Sequence, residues 1–219
     1  RRILVLEKEP HCGGLVTSFT REGFTFDGGI RALENAGALF PMLKKLGIDL
    51  PVIKNEVSIG IEDQVMHVKG EGDFAAYENL LQYFYPDSMQ EITAIMQDIQ
   101  KITQLMDIQY GIDNPLFLDF KEDREYFVQK VFPWMLKYAL SVTKVSSKNQ
   151  PVVAYLKKFT DNQALIDIIT QHFFTDTPAY FALSYFTLFQ EYYYPKNGTG
   201  DFSKKLVEYI LEHGGEIRT

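Results

Sequence analysis

Cysteine is nearly missing from this sequence: Cys12 is the only one in 219 residues. A lone thiol closes no internal disulfide and offers no zinc-ligand spacing, so the cytoplasm is the expected compartment. Long apolar runs are missing as well. The best candidate, Ala179 to Phe189, is broken by Ser184 and Thr187 and falls short of the ~20 residues a membrane span needs. No signal peptide is expected, because only Ile3 to Leu6 separate Arg1 and Arg2 from Glu7. No run of one charge sign forms a tail. Basic residues are in the minority, with a formal net charge of −7, which argues against nucleic acid as a partner because a phosphate backbone calls for a basic face. His11, His67, His172 and His213 show no metal-ligand spacing, and no G-x-S-x-G elbow exists. The sequence opens without methionine on a strand-like run, so it reads as a piece of a longer protein.

The composition is that of a globular chain, 46% hydrophobic and 23% charged, with room for one large or two small domains. Ile3 to Leu6 is wholly apolar and predicts a strand buried on both faces, as in a parallel sheet. A loop with Pro10, Gly13 and Gly14 follows. Val16 to Phe19 and Gly23 to Phe26 predict a hairpin, and Val57 to Ile61 with Val65 to Val68 a second, clearer one. Leu39, Met42, Leu43 and Leu46 mark a helix that Gly47 stops. From Asp73 onward the pattern is mainly helical. Ser88 with Glu91, and Thr160 with Gln163, match the capping box, in which each side chain satisfies a free N–H of the first turn. Met89, Ile92, Met96, Ile99 and Ile102 mark one helix face. A helix is predicted over 123–140 and a loop over 144–150. Tyr192 to Pro195 is extended, Gly198 to Gly200 turns, and Phe202, Leu206, Tyr209 and Ile210 line a helix ending at Gly214-Gly215 before a last strand.

Glu7, at the end of the first predicted strand, is placed to accept hydrogen bonds from two ribose hydroxyls, and Gly13-Gly14 would let backbone approach a pyrophosphate. Alone, this segment reads first as a surface glutamate before a turn, since short motifs match by chance. Two glycine patterns elsewhere are decoys. Gly70-Glu71-Gly72-Asp73-Phe74-Ala75 fits G-x-G-x-x-A, but Glu91, the acid at the required distance, falls in a helix rather than at a strand end. Gly198-Thr199-Gly200 reads as a turn into a helix.

The order Glu7-Lys8, Gly13-Gly14, Ser18-Phe19, Gly23-Phe24 and Phe26-Asp27-Gly28-Gly29, with Tyr193-Tyr194-Pro195-Lys196-Asn197-Gly198-Thr199-Gly200 near the other end, resembles the FAD-dependent carotenoid desaturase and retinol saturase family, within the amine-oxidase-like flavoenzymes. The likeness covers roughly a quarter of the chain. It implies that Glu7 holds the adenosine ribose, that Lys8 lies beside the adenine, that Gly13, Gly14 and Ser18 approach the pyrophosphate and flavin side, and that Gly28 and Gly29 pass close to the isoalloxazine. Leu15 stands where the family commonly has arginine. The G-x-G-x-x-G turn expected about 20 residues before the acid is not in the sequence, nor is the family's closing flavin segment. This chain alone is therefore expected to be inactive and free of FAD.

The expected fold class is α+β: a partial FAD-binding Rossmann-type α/β unit from residues 1–50 and 191–219, and a mainly helical substrate domain over 51–190. The aromatic-rich stretch around Phe173, Phe174, Tyr180, Phe181, Tyr185, Phe186 and Phe189 reads first as core; the resemblance also implies an apolar small-molecule substrate and a peripheral membrane contact. The activity implied is hydride transfer at the flavin to or from carbon–carbon bonds of an apolar polyene, with no catalytic side chain identified. An amine-oxidase-like flavoenzyme and a cofactor-free binding module are the alternatives. Oligomeric state is not read from the sequence.

Overall fold

In the computed structural model, which describes residues 3–68, 73–188 and 192–219, the two ends of the sequence lie side by side. Strand β1 (Leu4–Leu6) runs parallel to β9 (Glu216–Arg218), with Val5 opposite Ile217. The expected strand is present, but its burial is not: Leu4 and Leu6 are exposed, because β1 has only β9 beside it among the described residues. The fold class is α+β, with small sheets and a large share of helix.

The chain divides into two compact units. The first comprises Arg1–Asn55, Asp113–Leu118 and Glu191–Thr219. Its hairpin, β2 (Ser18–Arg21) with β3 (Phe24–Asp27), pairs Arg21 with Phe24 around a two-residue turn. Glu22 and Gly23 both have positive φ there, the type I′ geometry whose twist suits a hairpin, so the strands extend closer to the turn than Thr20-Arg21-Glu22 suggested. A three-stranded antiparallel sheet places β8 (Tyr192–Pro195) between β4 (Leu33–Glu34) and β5 (Val52–Lys54). Helix α1 (Leu39–Leu46) ends at Gly47 in the left-handed conformation, as its sequence predicts. Leu33, Leu43 and Leu50 form the core, with Phe202 of α9 (Gly200–Glu212) against it.

The second unit comprises Glu56–Ile112 and Asp119–Gln190. It opens with the hairpin β6 (Val57–Ile61) and β7 (Gln64–Val68), then α2 (Asp73–Phe84) and α3 (Met89–Tyr110). The glycines of the Gly70–Ala75 pattern lie outside the described residues; from Asp73 on, that pattern is helix. Helix α3 is the axis of the core. Ile92, Ile95, Met96, Ile99 and Ile102 are all at most 1% exposed, whereas Met89 lies outside, half exposed. Each such isoleucine contributes roughly 1.5–3 kcal/mol of burial. Single-turn α4 (Arg124–Tyr126) runs through a π-helical turn, Phe127–Val131, into α5 (Phe132–Ser146). Pro133 explains the wide turn: its ring has no N–H and collides with the carbonyl four residues back, and an inserted residue relieves both problems. The helix also runs six residues beyond the expected Leu140 and takes in Lys144, Val145 and Ser146, so that the expected loop is confined to 147–150. Helices α6 (Val152–Leu156), α7 (Gln163–Thr170) and α8 (Ala179–Leu188) complete the unit.

Neither capping box forms. The 3₁₀ turn Pro86–Ser88 leaves Ser88 at φ −106°, ψ 17°, so its side chain does not reach the first-turn amides. Helix α7 is capped by Asn162, whose side chain accepts the Leu165 N–H at 3.2 Å. Three of the four expected capping residues instead contribute to cross-links: Thr160 donates to Glu91, and Ser88 accepts from Asn162 at 3.2 Å, while Gln163 donates to Asp167 one turn along its own helix at 2.7 Å. In the segment read as a loop, Lys148 bridges Asp98 at 3.0 Å and donates to the Tyr155 hydroxyl, which donates to Asp98 at 2.5 Å. Burial alone would lower the Lys148 pKa; its bonds to Tyr155 and Asp98 more than reverse that and hold it above the usual value.

Candidate functional site

Asp27 ends β3 one residue before Gly28-Gly29, and four donors converge on its carboxylate. Oδ1 accepts the Thr199 N–H and the Thr199 hydroxyl, each at 2.9 Å, and the Ser18 hydroxyl at 3.1 Å. Oδ2 accepts the Tyr194 hydroxyl at 2.9 Å. Burial pushes the Asp27 pKa up, but these bonds outweigh it and hold the carboxyl below its ordinary value. Tyr194 responds in the opposite sense: its bond to the carboxylate, then burial and the negative charge of Asp27, raise the phenol. The Phe26-Asp27-Gly28-Gly29 segment and the Tyr194-to-Gly200 segment, far apart in sequence, are thus the two halves of one hydrogen-bonded junction.

Glycine makes that junction close. At Gly200 a Cβ would stand 2.6 Å from the Ser18 nitrogen, and at Gly198, where φ is +90°, 2.8 Å from Ser18 Oγ. Ser18 Oγ in turn accepts the Gly200 N–H at 2.9 Å. Gly28 and Gly29 serve the same purpose beside the hairpin. The Gly28 and Ile30 amides extend the ladder to the Thr17 and Leu15 carbonyls, and a Cβ on either glycine would lie 2.6 Å from an atom of Thr17 or Leu15.

The opening turns of α9 bear directly on anion binding. A helix N-terminus attracts phosphate through its free N–H groups. Here Thr199 N–H is taken by Asp27, Gly200 N–H by Ser18, Asp201 N–H by the Gly198 carbonyl and Phe202 N–H by the Thr199 carbonyl. Asp27 sits where a phosphate would.

Beside this junction opens a cleft of about 740 Å³, within the size range of small-molecule sites. His11, Cys12, Ser18, Asn197, Asp201 and Lys204 supply its polar groups, and Val207, Leu211 and Ile217 its apolar wall. Of the residues the resemblance implicates, Ser18 lines the cleft. Glu7 stands at the C-terminal end of β1; its N–H donates to the Arg218 carbonyl at 2.9 Å and its Oε1 accepts the Glu9 N–H at 3.1 Å. Lys8 is exposed and near Glu9 at 3.6 Å. Gly13 faces Ser203 and Val16, and Leu15 is exposed. Gly14, at φ +55°, has nothing within 4 Å of where a Cβ would be, so its backbone is open to approach. These residues fit the sugar end of a dinucleotide, with a carboxylate at a parallel strand end. They do not fit its pyrophosphate: the α9 amides are used, Asp201 adds negative charge, and Lys204 is drawn toward Glu208 at 3.9 Å.

The sequence reading did not single out Asp27, Tyr194 or Thr199 as site residues. The signal was present, since all three lie inside the quoted motifs, but nothing in one dimension says that the motifs touch.

In the second unit, the aromatic stretch packs against itself and the core. Phe186 meets Tyr77 with ring centroids 4.9 Å apart, and Phe173 meets Tyr185 at 5.3 Å. The pockets between them measure about 10 and 20 Å³, room for a water and not for a carbon chain. Phe174 and Phe181 are exposed, and Phe189 lies outside the described residues. Among the described residues no cluster of His, Cys, Asp and Glu is arranged to hold a metal ion, and no helix is long and apolar enough to cross a membrane.

Residues 1–46 match the family model of an NAD(P)-binding Rossmann-like domain. The match spans β1, the Glu7–Gly14 loop, the β2–β3 hairpin and α1 to its last residue, and it identifies this segment with a nucleotide- or flavin-binding fold of the kind oxidoreductases carry. No curated protein matches the chain.

Proposed function

We propose that this chain carries part of the cofactor-binding unit of an FAD-dependent oxidoreductase acting on carbon–carbon bonds of an apolar polyene. The observation that carries the reading is the parallel pairing of β1, which lies inside the nucleotide-binding match, with β9, which places Glu7 at the C-terminal end of a parallel pair. Ligands of open α/β sheets bind at that end, with an acid on the ribose. The choice of FAD over a nicotinamide, and of a polyene as substrate, is supported by the likeness of both end motifs to the desaturase and saturase branch. Glu7 would hold the ribose hydroxyls and the Gly14 backbone would line the approach. When bound, the flavin supplies the hydride chemistry. This chain's residues orient it and, by themselves, leave its pyrophosphate without a cradle, so no turnover is expected from the chain alone.

The test is a titration with FAD, followed by flavin fluorescence and by the melting temperature. The chain alone is expected to leave both signals unchanged, and the chain extended by a strand and a G-x-G-x-x-G turn ahead of Glu7 to bind FAD saturably, about tenfold or more weaker with Glu7→Ala, equivalent to about 1.4 kcal/mol. A flavin signal and melting temperature that change in neither form would overturn the reading. They would favour instead a cofactor-free binding module, the reading to which the Asp27-filled start of α9 also points.

A further inference from the structure

We infer that the pocket between α2, α7 and α8 is a binding site for a single water molecule, held by the Tyr77 hydroxyl and shared with the polar corner at Gln171 and His172. Two hydroxyls in the core of the helical unit have no hydrogen-bond partner among the described residues, those of Thr103 and Tyr77. They differ in their surroundings. Thr103 Oγ1 is completely closed off by its neighbours. Tyr77 Oη is not, although the residue as a whole is only 4% exposed, and Tyr77 lines a pocket on each side of its ring. Burial, and after it the neighbouring Tyr85, push the phenol well above its ordinary pKa, so it stays a neutral O–H donor. The ring alone already packs against Phe186 with centroids 4.9 Å apart, so filling the core does not require the hydroxyl.

Size and chemistry select the ligand and the side. A water needs a cavity of at least about 10–15 Å³ and two to four polar partners. The pocket toward α7 measures about 20 Å³, and beside Tyr77 it offers the polar side chains of Gln171, His172 and Tyr185. The pocket toward the β6–β7 hairpin measures about 10 Å³ and offers Asp73 alone besides Tyr77. The first therefore meets both conditions, and the second falls at the limit of one and short of the other. Neither has room for a larger molecule. The remaining walls of the first are apolar, among them Ile59, Ile168 and Phe173, and cannot satisfy the hydroxyl themselves. Gln171 and His172 are exposed, which gives the water a way in from solvent. Leaving a buried hydroxyl unpaired costs more than immobilising one water. The water links α2 to the connection between α7 and α8, two segments far apart in sequence.

This inference is independent of the nucleotide-binding reading, since it concerns other residues in the other unit. It is tested with Tyr77→Phe in the full chain, by urea unfolding and by crystal structures of both forms at a resolution that shows ordered water. The wild-type crystal should show one water within hydrogen-bond distance of Tyr77 Oη, on the Gln171–His172 side, and the variant should lose it. The folding equilibrium constant of Tyr77→Phe should fall about fivefold, the effect of deleting one satisfied hydrogen bond. Thr103→Val, which removes a hydroxyl that no water can reach, should leave that constant unchanged or raise it. A Tyr77→Phe chain as stable as the wild type or more so would overturn the proposal. So would a wild-type crystal with no water in reach of Tyr77 Oη, or with its water on the Met66–Phe74 side.

Discussion

Asp27 accepts two hydrogen bonds from one residue, Thr199, whose amide and hydroxyl both lie 2.9 Å from the same carboxylate oxygen. Helix α9 is thus capped from outside: Thr199 occupies the N-cap position but makes no cap bond with its own side chain, and the hairpin supplies the acceptor. Asp27→Ala strands the wholly buried Thr199 amide and leaves its hydroxyl only the Thr17 carbonyl at 3.4 Å, and it should cost about 2–3 kcal/mol in urea unfolding at neutral pH.

The same site sets an acid limit. The folded pKa of Asp27 lies below its unfolded value, about 3.9. Its contribution is therefore complete well above pH 4 and is lost as pH falls through the lower folded value. The stability difference between the wild-type chain and Asp27→Ala should shrink steadily below about pH 4. A gap that stays constant down to the acid unfolding transition would mean that hydrogen bonds to the ionised carboxylate are not what Asp27 provides.

Two glycines separate packing from ligand approach. Gly200→Ala forces a Cβ against the Ser18 backbone and should destabilise by about 1–3 kcal/mol, the range for overpacking. Gly14→Ala meets no neighbour and carries only the strain of φ +55°, about 1 kcal/mol. If the dinucleotide reading holds, Gly14→Ala nonetheless weakens FAD binding by the chain extended with a G-x-G-x-x-G turn ahead of Glu7. Calorimetric unfolding and the flavin titration, run on both variants, should rank them in opposite orders.

At the start of α7, Asn162→Ala should cost about 1–2 kcal/mol, because it removes the cap on Leu165 and the donor to Ser88. Ser88→Ala removes an acceptor but no cap, and should cost less. Chemical denaturation of the two variants decides between this arrangement and the capping box that the sequence suggests.

Thr103 of α3 is buried, and its hydroxyl has no hydrogen-bond partner among the described residues. Thr103→Val keeps the shape and deletes the polar atom. It should raise stability by about 1 kcal/mol or leave it unchanged, read as the midpoint of urea unfolding. A clear loss would show that the hydroxyl has a partner after all.

Helix α1, both hairpins, the β8 strand and α9 were legible because each is written locally, in apolar spacing or in a turn. The capping boxes misled for a physical reason: Ser88, Glu91, Thr160 and Gln163 have the right chemistry for caps, but each finds a partner across the fold or in the next turn. Pro133 gave no sign that a π turn would absorb it. At the candidate site, the motif residues were visible one by one, and the Asp27 junction that unites them exists only in three dimensions.

Apart from the short return Asp113–Leu118, the chain leaves the first unit after β5 and comes back to it at β8. Asn55, just after β5, donates its N–H to the Tyr192 carbonyl at 2.8 Å, and Lys54 pairs with Tyr193 across the sheet. To the sheet that holds these strands, everything between them is the loop of a hairpin. Such a loop is free to lengthen, shorten or change its sequence at little cost to the strands that close it. The nucleotide-binding end and the helical unit can therefore diverge at different rates, with β5 and β8 as the fixed socket into which alternative helical units plug.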